Sequence, residues 1–211
     1  MEAREEIMDR IRTALADAPA VPDVPRNYRR TADLGPEQVL EMLVDRLEDY
    51  KAKVSQVEAA DLPRTIAGLL AEATSYVVPH GLPAEWLDND TLRADDRRLT
   101  DAPGHRLTVE DLDGIAVVTS SAVSIAESGT IILDGSPTQG RRAISLVPDH
   151  HVCVVPASTV VQLLPEALPR VDPTHPLTWI SGPSATSDIE LERVEGVHGP
   201  RDLDVVIVTD L

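Results

Sequence analysis

Apolar residues along this chain follow two rhythms, and the switches between them mark its elements. Ile7, Ile11 and Leu15 recur every four residues, the stripe of an amphipathic helix over residues 3–15. The run Ala18-Pro-Ala-Val-Pro-Asp-Val-Pro25 follows. Proline fixes φ and lacks an amide hydrogen, so this run predicts an extended linker rather than a helix or central strand. It leaves the first helix free to pack on a partner. A second helix is predicted from Pro36, with proline in its first turn, to about Lys51. Its stripe of Val39, Leu40, Leu43, Val44 and Leu47 faces a core.

Beyond it, short β-branched runs alternate with helical patterns. Strands are predicted at 54–57 and 75–79, with a helix over 62–73 between them that turns Ile66, Leu69 and Leu70 inward. Residues 80–106 read as irregular, with a helical turn at 83–87, and Thr108 caps a turn ending at Leu112. From Gly114 onward, strands are predicted at 115–119, 129–133, 151–155, 177–180 and 203–209. Residues 120–128 read as a turn or short helix, and Ser158 caps a helix to Leu164. Strands written as nearly continuous apolar runs and separated by helices predict a three-layer α/β/α fold with a mostly parallel sheet. Residues 1–35 form a helix and proline-rich linker in this reading, and residues 36–211 one α/β domain.

Composition narrows the function. Aromatic residues make up 2% of the chain and phenylalanine is absent, so Val, Leu, Ile and Ala must fill the core. The formal charge of -17, from 36 acidic and 19 basic residues, repels phosphate backbones and anionic lipid, which argues against nucleic-acid partners. Lys51 and Lys53 are the only lysines, so no lysine follows a glycine-rich phosphate loop. Cys153 is the single cysteine, inside the apolar run His151-Val-Cys-Val-Val155. It cannot form a disulfide within the chain or supply a cysteine cluster for zinc or iron–sulfur, and it reads as a small packed hydrophobe. No apolar run reaches the roughly 18 residues of a membrane span, and the acidic N-terminus is unlike a signal peptide. The expectation is a cytoplasmic protein with no membrane insertion, no metal and no cofactor of its own.

Four groups carry candidate chemistry. In Thr119-Ser-Ser-Ala-Val-Ser-Ile-Ala-Glu-Ser-Gly-Thr130, Glu127, Ser128, Gly129 and Thr130 could bind a ligand, with glycine allowing close approach; the alternative is a plain turn between strands. In Ser181-Gly-Pro-Ser-Ala-Thr-Ser-Asp-Ile-Glu190, the candidates are Ser181, Gly182, Ser184, Thr186, Asp188 and Glu190. A helical turn opening near Thr186 would favour a small anionic ligand, or the same residues simply cap it. His198 in Gly196-Val-His-Gly-Pro200 places a titratable ring in a turn, whereas adjacent His150 and His151 on a strand point to opposite faces. Finally, Arg141 in the doublet Arg141-Arg142 could clamp a carboxylate or phosphate, or satisfy local acids.

Three strings in order, Ile125-Ala-Glu-Ser-Gly-Thr-Ile-Ile-Leu133, Ser145-Leu-Val-Pro-Asp-His-His-Val152 and Ser181 to Glu190 with Gly196 to Pro200, resemble one family. They are similar to the LutC/YkgG group of LUD-domain proteins, the lactate-utilisation protein C family, over residues 108–211. The resemblance implies a fold similar to ribose-5-phosphate isomerase, glucosamine-phosphate deaminase and CoA-transferase domains. It also implies a non-redox subunit of a bacterial system oxidising L-lactate to pyruvate, whose partners carry the iron–sulfur and cysteine-rich segments. It brings no established catalytic residues for this subunit. The competing expectation is a stand-alone small-molecule enzyme of the sugar-phosphate isomerase or CoA-transferase type, with Glu127 as base or nucleophile and the Gly129 and Thr130 backbone holding an oxyanion.

Overall fold

A computed structural model describes residues 3–17, 22–187, 193–195 and 199–211. In chain order the elements are α1 (Ala3–Ala14), α2 (Pro36–Asp49), β1 (Lys53–Val57), α3 (Leu62–Leu69), β2 (Tyr76–Pro79), β3 (Arg98–Asp101), α4 (Val109–Leu112) and β4 (Ala116–Ser120). There follow β5 (Val123–Ile125), β6 (Thr130–Leu133), α5 (Arg142–Leu146), β7 (His150–Pro156), β8 (Val160–Val161), α6 (Leu164–Ala167) and β9 (Thr178–Ile180). The last are β10 (Ala185–Ser187), β11 (Arg193–Glu195) and β12 (Asp202–Val208).

The centre is a six-stranded sheet in the order β1-β12-β7-β4-β2-β3, parallel throughout. Alternate residues of its middle strands feed two cores. Val152, Val154, Val206 and Val208 pack with Leu62, Ile66 and Leu70 of the α3 region, while Cys153, Val155, Val205 and Ile207 meet Val39, Leu43 and Leu47 of α2. All of these except Val39 are fully buried. Burying each larger aliphatic side chain contributes about 1.5–3 kcal/mol, which is why β12 and β7 need apolar residues in both phases.

Sequence and structure part company where apolar runs do not say which sheet they join. Strands 130–133 and 178–180 leave the central sheet for a second one, β8-β5-β6-β9, in which β6 pairs antiparallel with both β5 and β9. The expected turn or helix over 120–128 contains strand β5, because a hairpin lets Val123 and Ile125 bury as β6 does. The expected helix from Ser158 is a short 3-10 turn followed by β8, its β-branched Val160 and Val161 pairing with Ser124 and Ile125. Residues 98–101, expected to be irregular, add β3 at the sheet edge.

The residues before α2 meet the rest of the chain unevenly. Helix α1 buries none of its residues, with Ile7 57% exposed. The end of the expected linker, however, is fastened to the domain: Gln162 accepts hydrogen bonds from the Asp33 and Leu34 amides, and Glu166 accepts one from that of Ala32.

Candidate functional site

The second sheet brings the two polar stretches together, and helix α2 lies across both. Thr130 and Ser181 share a hydroxyl hydrogen bond of 2.8 Å, and Ser128 adds another of 2.8 Å to Thr130. Gly129 (φ +58°) lets the turn approach α2 so closely that a Cβ there would lie 2.8 Å from Arg46 Cβ. Gly182 (φ +88°) does the same against Tyr50, where a Cβ would sit 2.7 Å from both its Cβ and its carbonyl oxygen. The glycines are required by positive φ and by the backbone of α2 and Tyr50 above them. The hydroxyls thus tie the two stretches to each other, and the two glycines let them pass close under Arg46 of α2 and Tyr50 just after it.

Beyond that contact, the loop from Ser181 to Ala185 walls a cavity of about 220 Å³ between the two sheets. His151 and Leu203 come from the central sheet, Ser145 and Leu146 from α5, and Thr178 to Ile180 from β9. Gly199 and Pro200 close the rim, and the Ser184 amide donates to the Pro200 carbonyl at 2.8 Å. Ser181, Gly182 and Ser184 therefore share one wall. Strand alternation puts His151 on the face of Cys153, toward this cavity, while His150 turns away and pairs with Asp204 at 2.7 Å.

The electrostatics of this wall are neutral. His151 is 1% exposed, and burial together with the nearby His150 lowers its pKa to about 3. Its Nε2 meets the Thr119 hydroxyl at 2.7 Å, and its Nδ1 is buried with no hydrogen-bond partner. Burial pushes the Cys153 thiol up to about 12 despite a hydrogen bond with Thr119, so no thiolate forms near neutral pH. Apart from the neutral imidazole, no ionisable side chain of the described residues lines the cavity. It can hold a small polar molecule through hydroxyls and the imidazole, without a charge clamp. Among the described residues, no group of three or more His, Cys, Asp or Glu is placed to hold a metal.

The remaining candidates separate. Glu127 sits at the tip of the β5–β6 hairpin, its side chain 53% exposed, and pairs with Arg29 of the N-terminal segment. The Gly129 amide donates to the Ala126 carbonyl and is not free to hold an oxyanion. The helical turn expected near Thr186 is instead strand β10, paired with β11 through Thr186 and Val194, so no helix N-terminus faces a ligand there. Asp188, Glu190 and His198 lie outside the described residues. Arg141 joins a different cavity, where it binds Asp101. Sequence reasoning passed over Ser145, Thr178 and His151 as cavity residues; only the phase of β7 pointed to His151.

A model of the LUD domain matches residues 40–208. The chain belongs to the LUD-domain family. Lactate utilization protein C of Deinococcus radiodurans is 45% identical to this LUD-domain chain over 213 residues, covering 98% of this chain and 96% of that protein. The protein of the same name from Anoxybacillus flavithermus is 34% identical over 123 residues, 56% of each. A crystal structure of a DUF162 family protein from Deinococcus radiodurans superposes with a TM-score of 0.71 at 39% identity, covering 84% of this chain and 100% of the other. The parallel sheet flanked by helices is therefore shared with a solved relative, and the clasped loops lie inside the matched LUD segment.

Proposed function

We propose that this LUD-domain protein serves lactate utilisation in the cytoplasm, as a subunit that binds a ligand or organises an assembly and transfers no electrons itself. The observation that carries the reading is the near-full-length similarity to the Deinococcus lactate utilization protein C. Its one cysteine supports the non-redox part, being buried and held as a neutral thiol. The partners in this reading are cysteine-rich and iron–sulfur proteins, and α1 supplies an unburied apolar stripe for contact with them. The cavity beside Ser181 has room for a small polar ligand on the scale of a three-carbon hydroxy acid.

A stand-alone enzyme using Glu127 is less well supported, because that carboxylate is paired at a hairpin tip and lines neither of the cavities described. Deleting the encoding gene tests the main reading. Growth on L-lactate should fail and return on complementation, while growth on glucose continues. Undiminished growth on L-lactate in a strain with no second lactate oxidation route would remove it.

A further inference from the structure

A second cavity, of about 450 Å³, opens where the central sheet reverses its strand order. The chain runs outward from β2 to β3, then returns through β4 and β7 toward β12. In open parallel sheets the crevice beyond the carboxyl ends of the strands at such a reversal is where ligands bind. Here His80 follows the last residue of β2, and Asp101 ends β3. The loop Asp134 to Gly140 covers the crevice: the Gly81 amide donates to Pro137 and that of Ser120 to Thr138, each at 3.1 Å. A Cβ on Gly81 would lie 2.5 Å from Pro137 Cβ, so this wall is tightly seated.

Charge collects there against the character of the whole chain. Acidic residues outnumber basic ones 36 to 19, yet Arg106, Arg141 and Arg142 line this cavity against Asp101 and Asp134. Asp101 is already engaged, accepting from Arg141 Nε at 3.0–3.1 Å and from Nη2 at 2.8 Å. Arg141 Nη2 also donates to the Leu107 carbonyl, which leaves its Nη1 without a partner among the described residues. Arg106 and Arg142 are exposed and form no ion pair among the described residues. His80 and His175 line the same space.

We propose that this cavity binds a small, multiply charged oxyanion metabolite, a phosphate ester or a polycarboxylate, with Arg106 and Arg142 as its ligands and Arg141 fixed between them by Asp101. Guanidinium forks suit both oxyanion types, and the volume lies in the range of metabolite pockets. The assignment does not depend on a role in lactate utilisation.

Isothermal titration calorimetry of the full chain with inorganic phosphate and with citrate tests it, with L-lactate as the singly charged comparison. Binding of phosphate, citrate or both, weakened about tenfold for each guanidinium lost in Arg106→Gln and Arg142→Gln, supports the site and shows which oxyanion it prefers. Both side chains are exposed, and circular dichroism verifies that the variants remain folded. Absence of binding by both probes at tens of millimolar, affinity unchanged in the double variant, or binding of L-lactate alone would each overturn the proposal.

Discussion

Replacing Arg141 by methionine is the sharpest perturbation this structure offers, because it strands a buried carboxylate. The Asp101 side chain is 6% exposed and that of Arg141 31%. Without the guanidinium, Asp101 keeps only the hydrogen bond from the Leu107 amide at 3.0 Å. Breaking a fully buried pair costs about 3–5 kcal/mol, and the partial exposure of Arg141 reduces this to about 2–3 kcal/mol. With a urea slope near 2 kcal/mol/M, the unfolding midpoint should fall by about 1 M near neutral pH. Adding Asp101→Asn should recover at least half of the loss, since the amide can still accept from Leu107 and carries no charge.

The pH dependence gives a second check on the same variant. Burial opposes ionisation of Asp101, but the Arg141 and Leu107 hydrogen bonds and the charges of Arg141 and Arg106 outweigh it and hold the carboxyl below its usual range. A carboxyl lowered in the folded state stabilises above its unfolded pKa of about 3.9, and that contribution disappears as pH falls through the folded value. The gap between wild type and Arg141→Met should therefore be widest near neutral pH and close in acid, below about pH 4. A midpoint loss equivalent to less than about 0.5 kcal/mol near neutral pH, or a gap that persists unchanged in acid, refutes the buried-pair reasoning.

Gly182→Ala should cost about 3 kcal/mol, because its φ of +88° is strained for alanine and the new Cβ meets the Tyr50 backbone. Gly104→Ala, at φ +89° in open space, should cost about 1 kcal/mol, so equal losses in thermal unfolding would contradict the close approach to Tyr50. His151 has a folded pKa of about 3. The unfolded chain therefore binds the extra proton as pH falls below about 6.5, and stability declines with a slope of up to about 1.4 kcal/mol per pH unit. His151→Gln should flatten that slope in pH-dependent urea unfolding, and an unchanged slope would count against a buried neutral ring. Glu127→Gln should leave growth on L-lactate intact and cost at most about 1 kcal/mol, since its pair with Arg29 is half exposed at both ends. A growth defect in a stably folded Glu127→Gln variant would restore Glu127 as a functional group.

What the sequence determined by itself was whatever depends on neighbours along the chain. Valine-rich runs such as Val205 to Val208 can only be buried on both faces, so a parallel core followed from them. The four-residue stripe gave α2 nearly to its ends, strand alternation separated His150 from His151, and the apolar setting of Cys153 made it an inert packing residue. Tertiary structure decided what depends on partners distant in sequence. Thr130 to Leu133 and Thr178 to Ile180 read as ordinary apolar strands, and only pairing energy across tens of residues assigns them to a second sheet. Arg141 finds Asp101 forty positions away, and Gly129 and Gly182 are needed because the backbone of α2 and of Tyr50 just after it passes over them. Local pattern fixes which face of an element is apolar; the identity of the surface it meets comes from global packing, and both cavities are made where those surfaces join.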